Sequence, residues 1–188
     1  MYALCLESSN IRGMGHLFRG LNFYRFLKQK REDVIVFINN DRYAIRILEQ
    51  ERIFYEVINY EDIQSNWESK LIDKYKIHVW LNDKYQTKRE LYLHVKSNKN
   101  VVLAAIDEES ENADLLDIHF VGMVFQKDFI PKGKYVFQGI EYIILNEEIR
   151  KYRRVRTEVK KIIVSMGGSD TYGVTVKVLQ ILKKKIFR

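Results

Sequence analysis

Ser8-Ser9-Asn10-Ile11-Arg12-Gly13-Met14-Gly15-His16-Leu17-Phe18-Arg19 is the stretch that decides how this chain folds. Before it, Tyr2-Ala3-Leu4-Cys5-Leu6 is an apolar run of strand length; after it, Leu17, Leu21, Tyr24 and Leu27 recur at helical spacing. The stretch is therefore a turn that carries a first strand into a first helix. Gly13 and Gly15 suit it because glycine tolerates positive φ and lets another group approach the backbone closely. The unpaired N–H groups and positive end of the following helix favour an anion there, or a charge that develops during a reaction. His16 falls in the first turn of that helix, facing whatever the glycines admit. Packing alone also places Gly-x-Gly in tight strand-helix turns, so both explanations stand at this point.

A second glycine-rich turn, Ser165-Met166-Gly167-Gly168-Ser169-Asp170, repeats the arrangement. It follows the apolar run Lys161-Ile162-Ile163-Val164, read as a strand, and precedes a helical pattern through Val174, Val178 and Ile181. Two such turns point to two doubly wound units. Between them, strands are expected at 34–38, 55–58, 77–81 and 101–106, and helices at 63–75 (Trp67 and Leu71 inward) and 87–95. Asp41 is placed to N-cap a further helix that carries Tyr43, Ile47 and Leu48. Continuous apolar strands alternating with amphipathic helices imply an α/β fold with a parallel sheet covered on both faces.

In such sheets ligands collect at the carboxyl ends of the strands, where strand order reverses. The polar residues at those ends are Glu7 to His16, then Asp83 and Tyr85, then Asp107 and Glu108. Each carboxylate has an alternative task, because an Asp after a strand often caps the next helix. From 117 to 145 the segments shorten, with small strands expected at 118–121, 135–138 and 142–145 around Pro131, Gly133 and Gly139. Residues 147–156 read as a helix or an extended connector. The expected organisation is a doubly wound, Rossmann-like domain over 1–150, a basic linker over 151–160, and the incomplete start of a second unit over 161–188, for which the family resemblance described below implies nucleotide binding. A lone strand-helix pair cannot bury its own apolar faces, so the chain reads as cut short, or its last helix packs back on the first domain.

Composition narrows the function. Hydrophobic residues make up 46% and charged residues 30% of the 188, the balance of an ordinary globular protein. The net charge of +7 resembles a nucleic-acid signature until it is located. Residues 150–188 hold twelve Lys or Arg against Glu158 and Asp170, so residues 1–149 hold 20 basic and 23 acidic side chains, a net of −3. A solvated connector explains the basic run, and no nucleic-acid partner is expected because no reader motif accompanies it. Cys5, the single cysteine, lies in the first strand as a small apolar residue. No run approaches the roughly 20 apolar residues of a membrane span, no signal-peptide layout is present, and the cytoplasm is the expected compartment. His16, His78, His94 and His119 lack the spacing of a metal-binding helix, so no metal is expected, and no Gly-x-Ser-x-Gly elbow supports Ser-His-Asp catalysis.

Taken in order, these motifs match the pattern of one known family. Ser8, Ser9, Ile11, Gly13, Gly15, His16 and Arg19 resemble its opening Ser-rich turn, Ile-Gly-x-Gly-His and following Arg. Asp83 and Tyr85 resemble its Asp-x-Tyr, Asp107 to Glu109 with Ala113-Asp114 its acidic strand end, 142–149 its Tyr-Ala-Leu-Leu-Arg-x-Glu-Phe block, and Gly167-Gly168-Ser169-Asp170 its second turn. The family is that of the UDP-sugar hydrolases of pseudaminic acid biosynthesis, related to spore-coat polysaccharide proteins and to peptidoglycan N-acetylglucosaminyltransferases, all of two-domain GT-B architecture. The chain departs from it at Arg12, which is inserted, at Glu7 in place of Asp, and at Asn146 in place of Arg.

The resemblance implies a Rossmann-like N-terminal half of a GT-B fold. It also implies water attack on the anomeric carbon of a UDP-linked diacetamido sugar, with no cofactor and no metal. His16 would be the general base, and an ordinary imidazole pKa of about 6.5, next to a helix N-terminus, suits that task. Asp83 and Tyr85 would orient sugar or water, and Ser9, Gly13, Gly15, Arg19 and Asp107 would contact substrate. The backbone around Gly167, Gly168, Ser169 and Asp170 would hold the leaving diphosphate. The alternatives are a glycosyltransferase of the same architecture and a non-catalytic fragment or binding domain. The expected partner is the UDP-sugar itself, with self-association through Val174, Val178, Ile181 and Leu182 or a separate chain supplying the rest of the second unit.

Overall fold

A computed structural model describes residues 1–9, 13–84, 86–122, 128–155, 157–158, 161–166, 170 and 172–186. Its centre is a parallel seven-stranded sheet in the order β3-β2-β1-β4-β5-β6-β7. The strands are β1 (Tyr2–Leu6), β2 (Val34–Ile38), β3 (Tyr55–Val57), β4 (Val79–Asp83), β5 (Val102–Ile106), β6 (Ile118–Val121) and β7 (Tyr135–Gln138). Helices α1 (Gly15–Gln29), α2 (Arg42–Gln50), α3 (Trp67–Tyr75) and α4 (Arg89–Lys96) connect the first five, and α5 (Val174–Ile186) lies near the end of the chain.

The uninterrupted apolar strands follow from burial on both faces. Side chains alternate along a strand, so Leu4, Leu6, Val36 and Ile38 share one face with Leu17 and Leu21 of α1 and Ala44 and Leu48 of α2. Ala3, Cys5, Ile35 and Phe37 share the other with Leu71 and Ile72 of α3 and Tyr92 and Val95 of α4. α1 packs so closely that a Cβ on Gly20 would lie 2.4 Å from Leu6 Cδ1. Cys5 is buried, as expected; burial raises its thiol pKa, and Sγ donates to Tyr60 Oη at 3.4 Å. Asp41 caps α2, accepting from the backbone N–H of Tyr43 and Ala44 at 3.1 and 2.8 Å.

Several boundaries depart from the periodicity. Tyr43 is exposed, and Ala44 and Leu48 carry the buried stripe of α2. α3 begins at Trp67, not 63, because Asp62 accepts from the N–H of Gln64 and Ser65 and holds a turn there, and Asn66 at φ 47 then opens the helix. α4 starts at Arg89, since Thr87 turns its hydroxyl inward to accept from Asn82 Nδ2 at 3.4 Å. No strand forms over 142–145; Gly139 at φ 143 ends β7, and a 3₁₀ turn, Ile140–Tyr142, follows. Residues 147–156 contain a 3₁₀ helix, Glu147–Tyr152. The strand expected over 161–164 is absent: residues 161–166 have no regular structure and Ile163 is 90% exposed. A strand needs a neighbour to take its N–H and C=O groups, and among the described residues none is paired with it. Among the described residues, no helix is long and apolar enough to cross a membrane.

Candidate functional site

β1 and β4 lie side by side at the centre of the sheet although 72 residues separate Leu6 from Val79, and on either side of them the chain winds outward in opposite directions. That reversal opens a crevice at the carboxyl ends of the strands. The register sets Leu6 against Asp83, and both strands end there. The turn after β1 is pinched shut by mutual backbone hydrogen bonds of Ser9 and Gly13, at 3.2 and 2.7 Å, and α1 follows at once.

α1 aims two side chains at Asp83. His16 Nδ1 lies 2.6 Å from Asp83 Oδ1, and because a carboxylate only accepts, Nδ1 carries the proton and Nε2 is the basic nitrogen. Arg19, one helical turn on, donates from Nε to Oδ2 at 2.7 Å and from Nη2 to Oδ1 at 2.5 Å, and from Nη1 to Asp107 Oδ2. Asp83 is 0% exposed and the Arg19 side chain 11%. Burial pulls the Arg19 pKa down, but the hydrogen bonds and charge of Asp83, with the charge of Asp107, outweigh it and hold the guanidinium above its ordinary value. Asp107, at φ 50, completes the clamp by accepting from the N–H of Gly122 at 2.8 Å.

The glycines separate into two kinds. Gly13 has φ 105, which side chains rarely adopt, and Gly15 has an ordinary φ; a Cβ on either would meet nothing within 4 Å. Packing therefore does not explain Gly15, in contrast to Gly20. Open space lies over it, in a cleft of about 360 Å³ lined by Glu7, Ser9, Gly13, Gly15, His16, Arg19 and Asn22 on one side and Ile143, Ile144 and Leu145 on the other. No side chain caps the N-terminus of α1, and its first turn has no acidic residue, so backbone N–H groups there remain without a side-chain cap.

The structure thus brings His16, Asp83, Arg19, Asp107, Ser9, Gly13 and Gly15 together, with the carboxylates in roles the spacing did not reveal. Asp83 and Asp107 do not cap helices; they hold His16 and Arg19. Asp170 does cap, accepting from the N–H of Val174 at 2.7 Å and Thr175 at 2.9 Å, and these bonds lower its pKa. No described residue of 161–188 lines the cleft. Tyr85, Gly167, Gly168 and Ser169 lie outside the described residues. Glu108 turns away into the core, where Tyr92 Oη donates to it at 2.7 Å. The apolar wall Ile143 to Leu145 was not expected as part of the site, because its residues read as a strand. No group of three metal-ligating side chains is found among the described residues.

No family model matches this chain. The crystal structure of MurG from Acinetobacter baumannii superposes on it with a TM-score of 0.55 at 10% identity, over 73% of this chain and 44% of that one. The fold is that of a Rossmann-like GT-B half. In sequence, the chain is 27% identical over 97% of its length to the uncharacterised protein MJ1062 of Methanocaldococcus jannaschii, of which it spans 40%. Over 80 residues, 41% of the chain, it is 30% identical to 18% of a flavanone 7-O-glucoside 2''-O-beta-L-rhamnosyltransferase of Citrus maxima. The chain therefore spans less than half the length of each of these proteins.

Proposed function

We propose that the chain is the first half of a nucleotide-sugar enzyme that releases UDP from a UDP-linked diacetamido-trideoxy sugar by attack of water on the anomeric carbon. The observation that carries this reading is the 2.6 Å contact between His16 Nδ1 and buried Asp83 at the rim of the cleft. Asp83 fixes the tautomer and steadies the imidazolium that forms, while Nε2 removes the proton of the attacking water. The water oxygen bonds to the anomeric carbon, the bond to the diphosphate oxygen breaks, and its electron pair leaves with UDP. Arg19 positions Asp83, and the uncapped N-terminus of α1 with Gly13 and Gly15 lets the polar substrate lie close to the backbone. Tyr85 orients sugar or water. A second unit beyond a linker at 151–160 holds the nucleotide, with the amides of 167–170 on the diphosphate.

A sister reading is transfer to an acceptor hydroxyl instead of water. It is favoured by the fold shared with MurG and by the rhamnosyltransferase likeness, and by a second cleft that meets the first at Glu7. Phosphorus NMR of the full-length protein, with its second unit, and a UDP-amino sugar tests both. UDP and free sugar released without an acceptor, and no release by His16→Gln, are the expected results. Release only on addition of an acceptor would favour transfer, and release undiminished in His16→Gln would refute the role of His16.

A further inference from the structure

The second cleft, of about 920 Å³, runs along the carboxyl ends of β2, β3 and β4 and, among the described residues, shares only Glu7 with the cleft of His16. It has the size of a small-molecule pocket, roughly 300–1,000 Å³. Lys84, the residue after β4, lines it and is 6% exposed, the one buried Lys or Arg among the described residues. Its Nζ sits 4.1 Å above the ring of Tyr60, which lines the same cleft and is pinned by donating from Oη to Leu6 O at 2.9 Å. Among the described residues no carboxylate lies within 4.0 Å of that ammonium. Two acids whose charge reaches it pair more closely elsewhere, Glu61 with Lys88 at 2.5 Å and Glu68 with His94 at 3.0 Å, and Glu7 and Glu61 lie in the cleft wall with it. A cation-π contact contributes about 0.5–2 kcal/mol, less than burying an ammonium costs. A buried cation that faces a roomy polar cleft, with no carboxylate in direct contact among the described residues, has the form of an anchor for an anion.

We propose that this cleft binds a small polyhydroxylated molecule through one anionic group, a carboxylate or a phosphate, seated on the Lys84 ammonium. Thr87, Ser110, Asn59 and Asn112 supply hydroxyl and amide groups around the cleft for the rest of the molecule. The occupant lies beside the His16 cleft, and its binding does not depend on the reaction assigned there. Calorimetry of the chain with glucuronate, glucose 1-phosphate, inorganic phosphate and uncharged glucose tests this. One or both of the sugar anions should bind at least about tenfold more tightly than glucose and inorganic phosphate, and which one binds identifies the anionic group. Lys84→Met should lose that binding at least about tenfold while keeping or raising the melting temperature, because it removes a buried charge that no carboxylate among the described residues touches. His16→Gln should bind normally, which separates this site from the proposed hydrolysis. The proposal is overturned if neither sugar anion binds at about 10 mM, if inorganic phosphate binds as well as they do, or if Lys84→Met binds unchanged or fails to fold.

Discussion

Replacing Arg19 by Met tests whether the clamp at the crevice holds the site together. The guanidinium makes two bonds to Asp83, at 2.7 and 2.5 Å, and a third to Asp107, and Asp83 has no exposed surface. Met preserves most of the aliphatic volume but leaves buried Asp83 with His16 alone and removes the cation from Asp107. Breaking a buried pair in this way costs about 3–5 kcal/mol, because the surviving charge has lost its counter-ion. Set against a total stability of roughly 5–15 kcal/mol, the loss is severe; for a chain of this size it corresponds to a fall in melting temperature of about 6–20 °C. Urea denaturation followed by circular dichroism measures it directly. Arg19→Lys should fall between wild type and Met, since a point charge cannot reproduce the two-pronged contact. The double variant Arg19→Met with Asp83→Asn should be more stable than Arg19→Met alone, because the stranded charge is gone. A loss under about 1 kcal/mol in Arg19→Met, or a double variant no better than the single, would refute the account of a buried clamp.

Two glycines of α1 should respond in opposite ways to alanine. Gly15→Ala meets open space and gains helix propensity, so stability should hold or rise by up to about 1 kcal/mol while affinity for the sugar nucleotide falls, as read by calorimetry. Gly20→Ala gains the same propensity but drives a methyl into buried Leu6, and overpacking of about 1–3 kcal/mol should leave it destabilised in urea titration. A pH dependence follows from His119, whose Nδ1 donates to Lys132 O at 2.7 Å and whose Nε2 accepts from the N–H of Glu108 at 3.1 Å. Burial lowers its pKa, so on acidification the unfolded chain takes up the proton first. Its contribution is therefore present in full above about pH 6.5 and is lost as pH falls below that, and melting temperatures of wild type and His119→Asn across this range should converge on acidification.

The sheet and its helices were legible because local chemistry repeats along the chain. Tyr2–Leu6, Val34–Ile38 and Val102–Ile106 read as strands because apolar runs of five residues fill two faces at once. The segment 161–164 is also mostly apolar but has no paired neighbour among the described residues, and it forms no strand. Composition records what a segment can bury, not whether a partner stands beside it. Within the site, the glycine turn, His16 and the carboxylates at strand ends could be picked out as chemistry-bearing. Which carboxylate caps a helix and which grips a cation could not, because Asp170 finds the free N–H groups of α5 while Asp83 and Asp107 find Arg19.

The alternation of strand and helix, the turn at Gly13 to His16 and the cap at Asp41 can be read along the chain, since they depend on periodicity, backbone freedom and neighbours a few residues away. Only the tertiary structure decided that β4 lies against β1. That pairing sets Asp83, 67 residues from His16, within 2.6 Å of its ring, and places Lys84 over Tyr60. The order of strands in a sheet is settled by how distant apolar faces are best buried together, and no local pattern carries that information.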